Sequence, residues 1–146
     1  MIKPTAMFLT VFALTAGTAM SSSAAEIVEV YKSPTCGCCG KWINHLKDAG
    51  FVVREHNVMD VPAIRKQLGM PERFGACHSA KVAGYVVEGH VPVADIQRLI
   101  KARPKALGLA VPSMPPGSPG METQKPIPYD TLLIRLDGGN SIFAKH

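Results

Sequence analysis

The pattern of apolar and polar positions predicts a strand, a helix and a second strand in the first part of the chain. Glu26 to Tyr31 alternates between polar and apolar side chains and is rich in β-branched residues, which is typical of a strand. After a break at Ser33-Pro34-Thr35, apolar side chains recur at helical spacing from Trp42 until Gly50, where a helix is expected to end. Phe51 to Val58 then has the pattern of a second strand.

Two further helices are predicted from the signals at their ends. Asp60 is suited to be a helix N-cap with Pro62 in the first turn, and this helix is expected to stop at Gly69. Pro92 opens the other helix, which ends before Pro104.

A hairpin is predicted between these two helices. Lys81 to Val87 has a strand pattern, and Glu88-Gly89 is predicted to turn it into a short returning strand at His90-Val91. The resulting order, β-α-β-α-β-β-α, matches the thioredoxin and glutaredoxin architecture. The fold class is therefore predicted to be α/β, with a mixed sheet flanked by helices.

The composition changes after Arg103, where proline and glycine become frequent. The prolines of this stretch are Pro104, Pro112, Pro115, Pro116, Pro119, Pro126 and Pro128, and they predict no regular structure. Tyr129 to Leu136 and Ser141 to Lys145 then predict a terminal hairpin. We therefore divide the chain into a thioredoxin-like domain at residues 26–103 and a Pro/Gly/Met-rich extension at 104–146 that packs on the same domain.

Residues 1–25 have the features of a secretory signal peptide. Lys3 provides a positive start, Met7 to Ala19 is apolar, and small residues up to Ala25 form a cleavage site. The apolar run is short for a spanning helix and no second one follows, although an uncleaved anchor is the alternative. The mature protein is expected to be periplasmic, not inserted in the membrane, and monomeric.

The net charge of +5 does not indicate a nucleic-acid partner. Lysines and arginines are dispersed with acidic residues between them, and no basic run is interleaved with aromatic residues. The basic balance is better explained as a solvated surface.

Three cysteines in four residues are the most informative motif. Cys36, Cys38 and Cys39 lie where the first strand gives way to a helix N-terminus, and unpaired N–H groups there stabilise thiolate over thiol. Thiolate is both the nucleophile and the soft-metal ligand, so the position favours either role. Structural disulfides are the plainer alternative, because an oxidising compartment permits them, but one cysteine of the motif is always left over.

Topology brings the fourth cysteine to the motif. The third strand of this architecture runs antiparallel to the first, so Cys77 and His78, which immediately precede it, should lie beside the other cysteines. Thiol oxidoreductases carry a cis-proline in the equivalent loop, and a cysteine in its place favours metal binding. His90 is expected at the same edge of the sheet, either as a ligand or as a surface turn residue, and His78 as a ligand or a partner of one.

Two methionines lie in the Pro/Gly-rich segment. Met114 and Met121 are outside any periodic apolar segment, and thioethers together with thiolates select Cu(I). The alternative is a hydrophobic plug that covers the edge of the sheet.

These motifs resemble those of CopG-type proteins, exported C-x-C-C proteins associated with bacterial copper resistance. The matching segments are Thr35 to Trp42, Ala76 to His78, Gly84 to Pro92, Gly108 to Pro115 and Gly120 to Glu122. The resemblance implies a thioredoxin-like domain whose extension assists metal binding, and copper held by bridging cysteine sulfurs and interconverted between Cu(I) and Cu(II) before export. By position it assigns Cys36, Cys38, Cys39 and Cys77 as the thiolates, with Met114 and Met121 from the extension.

The leading hypothesis is thus a periplasmic copper-binding redox protein that holds more than one ion and exchanges copper with chaperones or an efflux system. The alternative is a thiol–disulfide oxidoreductase with Cys36 as nucleophile and Cys39 as resolving thiol. A structural zinc site of four thiolates is the third hypothesis.

Overall fold

A computed structural model describes residues 25–146, so the predicted signal peptide lies almost entirely outside the described residues. The strands are β1 (Ile27–Lys32), β2 (Val52–Asn57), β3 (His78–Val82), β4 (Tyr85–Gly89), β5 (Gly108–Val111), β6 (Asp130–Ile134) and β7 (Asn140–Lys145). The helices are α1 (Gly37–Asp48), α2 (Val61–Gln67) and α3 (Val93–Ala102), with a 3-10 turn at Glu72–Phe74. All seven strands form one mixed sheet in the order β2-β1-β3-β4-β5-β6-β7.

The first half of the chain folds as the pattern predicts. Strand β1 pairs in parallel with β2 and antiparallel with β3, so the end of β1 lies beside the beginning of β3. Helix α1 packs its buried side chains Trp42, Ile43 and Leu46 into the main core. Asp60 caps α2 by accepting a hydrogen bond from the Ala63 N–H at 2.9 Å.

The predicted hairpin turn was wrong. Strands β3 and β4 are joined at Ala83-Gly84 and not at Glu88-Gly89, and both turn residues have positive φ, 48° and 88°. Such a turn matches the twist of two adjacent strands, and the alternation of apolar residues alone does not locate it. His90 therefore follows the end of β4 instead of lying in a returning strand. Since β4 runs parallel to β1, His90 still reaches the edge where β1 ends.

The prediction that no regular structure follows Arg103 was wrong for one short segment. Strand β5 lies within that stretch and pairs with β4 and β6. It is only four residues long and fully buried. A Cβ at Gly108 would overlap the carbonyl oxygen of Val86, so this position needs glycine. The terminal hairpin, β6 with β7, is confirmed.

Apolar side chains cover both faces of the sheet. The larger cluster includes Val30, Trp42 and Leu99, and a smaller one on the other side includes Phe74 and Ile134. In the part of the chain from residue 25 onward, no helix is both long and apolar enough to cross a membrane.

Candidate metal centre

All four cysteines converge where β1 ends, α1 begins and β3 starts. Their Sγ atoms lie within 4.8 Å of one another. Cys38 Sγ is 3.6 Å from Cys36 Sγ, and Cys77 Sγ is 3.5 Å from Cys39 Sγ. The arrangement brings together the four residues that the sequence singled out.

Two of these cysteines are joined in the structure. Cys36 and Cys39 form a disulfide, whereas Cys38 and Cys77 are free thiols. Cys36 is the N-cap of α1, and Cys39 is fully buried one turn further into the helix. Each sulfur of the disulfide therefore has one free thiol beside it.

Two buried histidines surround Cys77. His90 Nε2 lies 3.0 Å and His78 Nδ1 lies 3.4 Å from Cys77 Sγ. His90 donates its Nδ1–H to the carbonyl of Pro119 at 2.7 Å, which leaves the Nε2 lone pair directed at the sulfur. The Cys77, His78 and His90 donor atoms form a second group compact enough to hold an ion.

Burial keeps both histidines neutral, which is the state that binds metals. It lowers the pKa of His78 to about 3, with the nearby His90 as the second cause. Burial also lowers the pKa of His90. The His78 ring lies tilted against Trp42 with ring centroids 4.3 Å apart, and its buried Nε2 has no hydrogen-bond partner among residues 25–146. That nitrogen faces away from the thiol that Nδ1 approaches.

Cys77 is a neutral thiol in the absence of a cation. Burial, followed by the neighbouring Cys38 thiol, raises the pKa of Cys77 to about 12. A coordinating metal ion deprotonates a thiol outright and supplies the positive charge that this pocket lacks.

The two methionines differ in their distance from the sulfur cluster. Met114 Sδ lies 4.0 Å from Cys38 Sγ, and the Met114 side chain is partly exposed. Met121 lines a hollow beside Cys38, together with Gly37 and Lys41. Met114 is thus the methionine whose sulfur adjoins a thiol.

Gly120 lets the Pro/Gly-rich segment approach the start of α1 closely. Its φ is 86°, and a Cβ there would lie 2.7 Å from the Cys38 carbonyl oxygen and 2.9 Å from the Trp42 nitrogen. Glu122 fixes this approach by accepting hydrogen bonds from the Gly120 N–H at 2.6 Å and from His45 Nε2 at 2.7 Å. The pKa of Glu122 is lowered to about 2 by hydrogen bonds from the Gly120 N–H, from its own backbone N–H and from His45, in that order of size.

A buried ion pair holds the loop before Cys77. Arg65 Nε donates to Glu88 Oε1 at 2.8 Å, and neither side chain is more than 4% exposed. Glu88 Oε1 also accepts from the Ala76 N–H at 2.8 Å, while Arg65 donates to the Ala76 carbonyl at 2.6 Å. Ser79 completes the network by donating to Glu88 Oε2 at 2.5 Å. Both polar groups of the peptide backbone at Ala76 are therefore fixed by charged side chains.

Sequence reasoning did not find this network. The available signal was Glu88, a carboxylate at the end of the apolar run Tyr85 to Val87. The sequence pattern predicts a turn at Glu88, and its partner Arg65 is 23 positions away in the sequence.

The fold and the site together define an α/β protein with a thiol-rich centre at one edge of its sheet. Residues 74–121 match a family model described as "Protein of unknown function, DUF411". The structure is similar to "Copper resistance protein copG- Form 2", with 40% sequence identity, a TM-score of 0.81, and coverage of 84% of this chain and 99% of that one. For Form 1 of the same protein the identity is 40%, the TM-score 0.78 and the coverage 82% and 96%. No curated protein sequence matches the chain.

This chain belongs to the CopG family. An identity of 40% over more than four-fifths of the chain establishes that membership, and it confirms the family resemblance derived from the motifs.

Proposed function

We propose that this protein is an exported, periplasmic copper-binding protein of copper resistance. The observation that supports this most directly is the cluster of four sulfurs within 4.8 Å of one another. Met114 adjoins the cluster on one side and His90 on the other. Thiolates and thioethers are soft ligands that select Cu(I), and imidazole also binds copper. Copper is the cargo of this site, and its oxidation state is the property that the protein changes.

The proposal also covers the number of copper ions, the type of domain and the oligomeric state. Four sulfurs exceed the needs of one Cu(I) ion, which supports a site that holds more than one. The order of the elements up to α3, with β3 antiparallel to β1, supports a thioredoxin-like domain. We expect a monomer that exchanges copper with periplasmic chaperones or an efflux system.

The reduced protein is expected to bind more than one copper ion per chain and to prefer copper to zinc. The reason is that the site offers a thioether as well as thiolates, and this combination selects Cu(I). Structural zinc sites use four cysteine or histidine ligands and no thioether. Competition dialysis against equal concentrations of both metals, followed by elemental analysis, measures this. Retention of zinc with displacement of copper would contradict the proposal and favour structural zinc.

A second candidate function is thiol–disulfide exchange, and the Cys36–Cys39 disulfide is the observation that favours it. In the reduced protein, Cys36 at the N-terminus of α1 would attack a substrate disulfide, and Cys39 would resolve the mixed disulfide. We expect little activity of this kind, because Cys77 lies 3.5 Å from Cys39, and His90 lies 3.0 Å from Cys77 on its other side.

Reduction of insulin by the metal-free protein, with dithiothreitol as electron donor, tests this second function. The expected rate is close to that of dithiothreitol alone, and Cys36→Ser serves as the matched background. Rapid turnover that copper inhibits would make exchange the main function and metal binding incidental.

A further inference from the structure

The disulfide leaves two neighbouring pairs of donor atoms in place, one around Cys38 and one around Cys77, whose sulfurs lie within 4.8 Å of each other. On one side, Cys38 Sγ and Met114 Sδ are 4.0 Å apart. On the other, Cys77 Sγ and His90 Nε2 are 3.0 Å apart. Bonds of about 2.0–2.3 Å let one ion lie between the two sulfurs of the first pair, and an ion can take the place of the thiol proton between Cys77 and His90 in the second. Oxidation of Cys36 and Cys39 thus removes two thiolates without dismantling either pair.

The number of electrons matches the number of these pairs. Closing one disulfide releases two electrons, and reducing one Cu(II) to Cu(I) consumes one. The two donor pairs, Cys38 with Met114 and Cys77 with His90, each contain a free thiol next to a disulfide sulfur. An ion on either pair would therefore be close to the group that supplies its electron.

We propose that the Cys36/Cys39 dithiol is the reductant for copper, and that each donor pair keeps one Cu(I) product. Two Cu(II) ions accept one electron each, the Cys36 and Cys39 thiols lose two electrons and two protons, and the bond formed is the Cys36–Cys39 disulfide. The protons go to solvent. This inference deepens the proposed function and rests on it, since it names the electron source for the change in copper oxidation state.

The placement of the four cysteines supports these two roles, with Cys36 and Cys39 as the reductant and Cys38 and Cys77 as the ligands. Cys36 and Cys39 are one helical turn apart at the start of α1, where they close a disulfide within one rigid element. Cys77 instead enters from the loop fixed by Arg65 and Glu88. Cys38 faces the methionine of the Pro/Gly-rich segment. The two remaining thiols are thus held by different parts of the fold, each beside a different sulfur of the disulfide and within 4.8 Å of each other.

Anaerobic titration of the fully reduced protein with copper(II) sulfate, after removal of the reductant, tests the proposal. Electron paramagnetic resonance follows Cu(II), and acid quenching, alkylation and peptide mapping identify the oxidised cysteines. The first two equivalents are expected to become silent in resonance and to stay bound. The mapped product should be the Cys36–Cys39 disulfide, with Cys38 and Cys77 alkylated after the metal is removed. Copper supplied as Cu(I) should leave all four thiols reduced.

Variants separate the electron source from the donor pairs. Cys36→Ser keeps a favourable N-cap and should fold, but it should slow the reduction of Cu(II) by about tenfold or more, since the dithiol is lost. Cys38→Ser should lower the Cu(I) retained by the oxidised chain from two ions to one. His56→Gln, on the exposed outer strand β2, is the control and should behave as the unchanged protein.

The outcomes distinguish this inference from the proposed function. Failure of the reduced protein to bind copper in any form would overturn both. Bound copper that remains Cu(II), or a disulfide that mainly contains Cys38 or Cys77, would overturn the inference alone. So would undiminished reduction by Cys36→Ser.

Discussion

Cys77→Ser is expected to lower the copper content by at least one ion per chain and to change the sulfur-to-copper absorption. Cys77 is the thiol that enters the cluster from outside the helix start, and it alone contacts both Cys39 and His90. Its loss leaves three cysteine sulfurs crowded at the start of α1 and removes the thiolate that would bridge ions from the β3 side, where Met114 offers only a thioether next to Cys38. Elemental analysis and an absorption spectrum of the reduced, copper-loaded variant measure the effect.

Loss of folding would not explain this result. Removal of one partly buried thiol is expected to cost about 1–3 kcal/mol, so the variant should unfold cooperatively at a slightly lower temperature than the unchanged protein. Circular dichroism checks this on the same sample. A folded Cys77→Ser protein with undiminished copper and an unaltered spectrum would mean that the metal binds elsewhere.

Glu88→Ala is expected to reduce the free energy of unfolding by about 1.5–3 kcal/mol, because the buried Arg65 guanidinium loses its buried partner and keeps Glu72, whose side chain is mostly exposed. Urea unfolding of the metal-free protein measures the change. Glu55→Ala is the matched control: the exposed Glu55 pairs with Lys47 at 3.0 Å and more distantly with Lys32 at 3.8 Å, and Lys32 keeps its hydrogen bond to Asn57. The loss of such an exposed carboxylate costs about 1 kcal/mol.

The same variant should also release the loop before Cys77. Without Glu88 the Ala76 N–H loses its acceptor, so the Cys77 thiol should be alkylated faster in Glu88→Ala than in Glu55→Ala under conditions where both proteins are folded. Equal losses of stability in the two variants, together with equal alkylation rates, would show that the buried pair neither stabilises the fold nor holds Cys77.

The sequence predicted the elements whose signals are local. The alternation in β1, the helical spacing from Trp42 and the Asp60 cap each depend on a few neighbouring residues. The convergence of Cys77 on the motif followed from strand direction alone. His90 was predicted at the correct edge of the sheet although the turn was misplaced. The predicted returning strand and the observed strand β4 both end at that edge.

The remaining features depend on contacts between distant parts of the chain. Strand β5 is a strand because it fits between β4 and β6, and its four residues between two prolines have no pattern of their own. The Glu88 network joins α2, the Cys77 loop and β4, and no spacing rule connects its members. Whether Met114 or Met121 lies next to a thiol depends on how the segment turns at Gly120.

The position of β5 limits how the protein can be divided or shortened. A chain cut before Gly108 would turn β4, which is buried along its whole length, into an exposed edge. An unprotected apolar edge is a template for pairing with another molecule. The sulfur-rich edge and residues 108–146 therefore have to be expressed and engineered together. We expect a shortened chain to aggregate instead of presenting an open metal site.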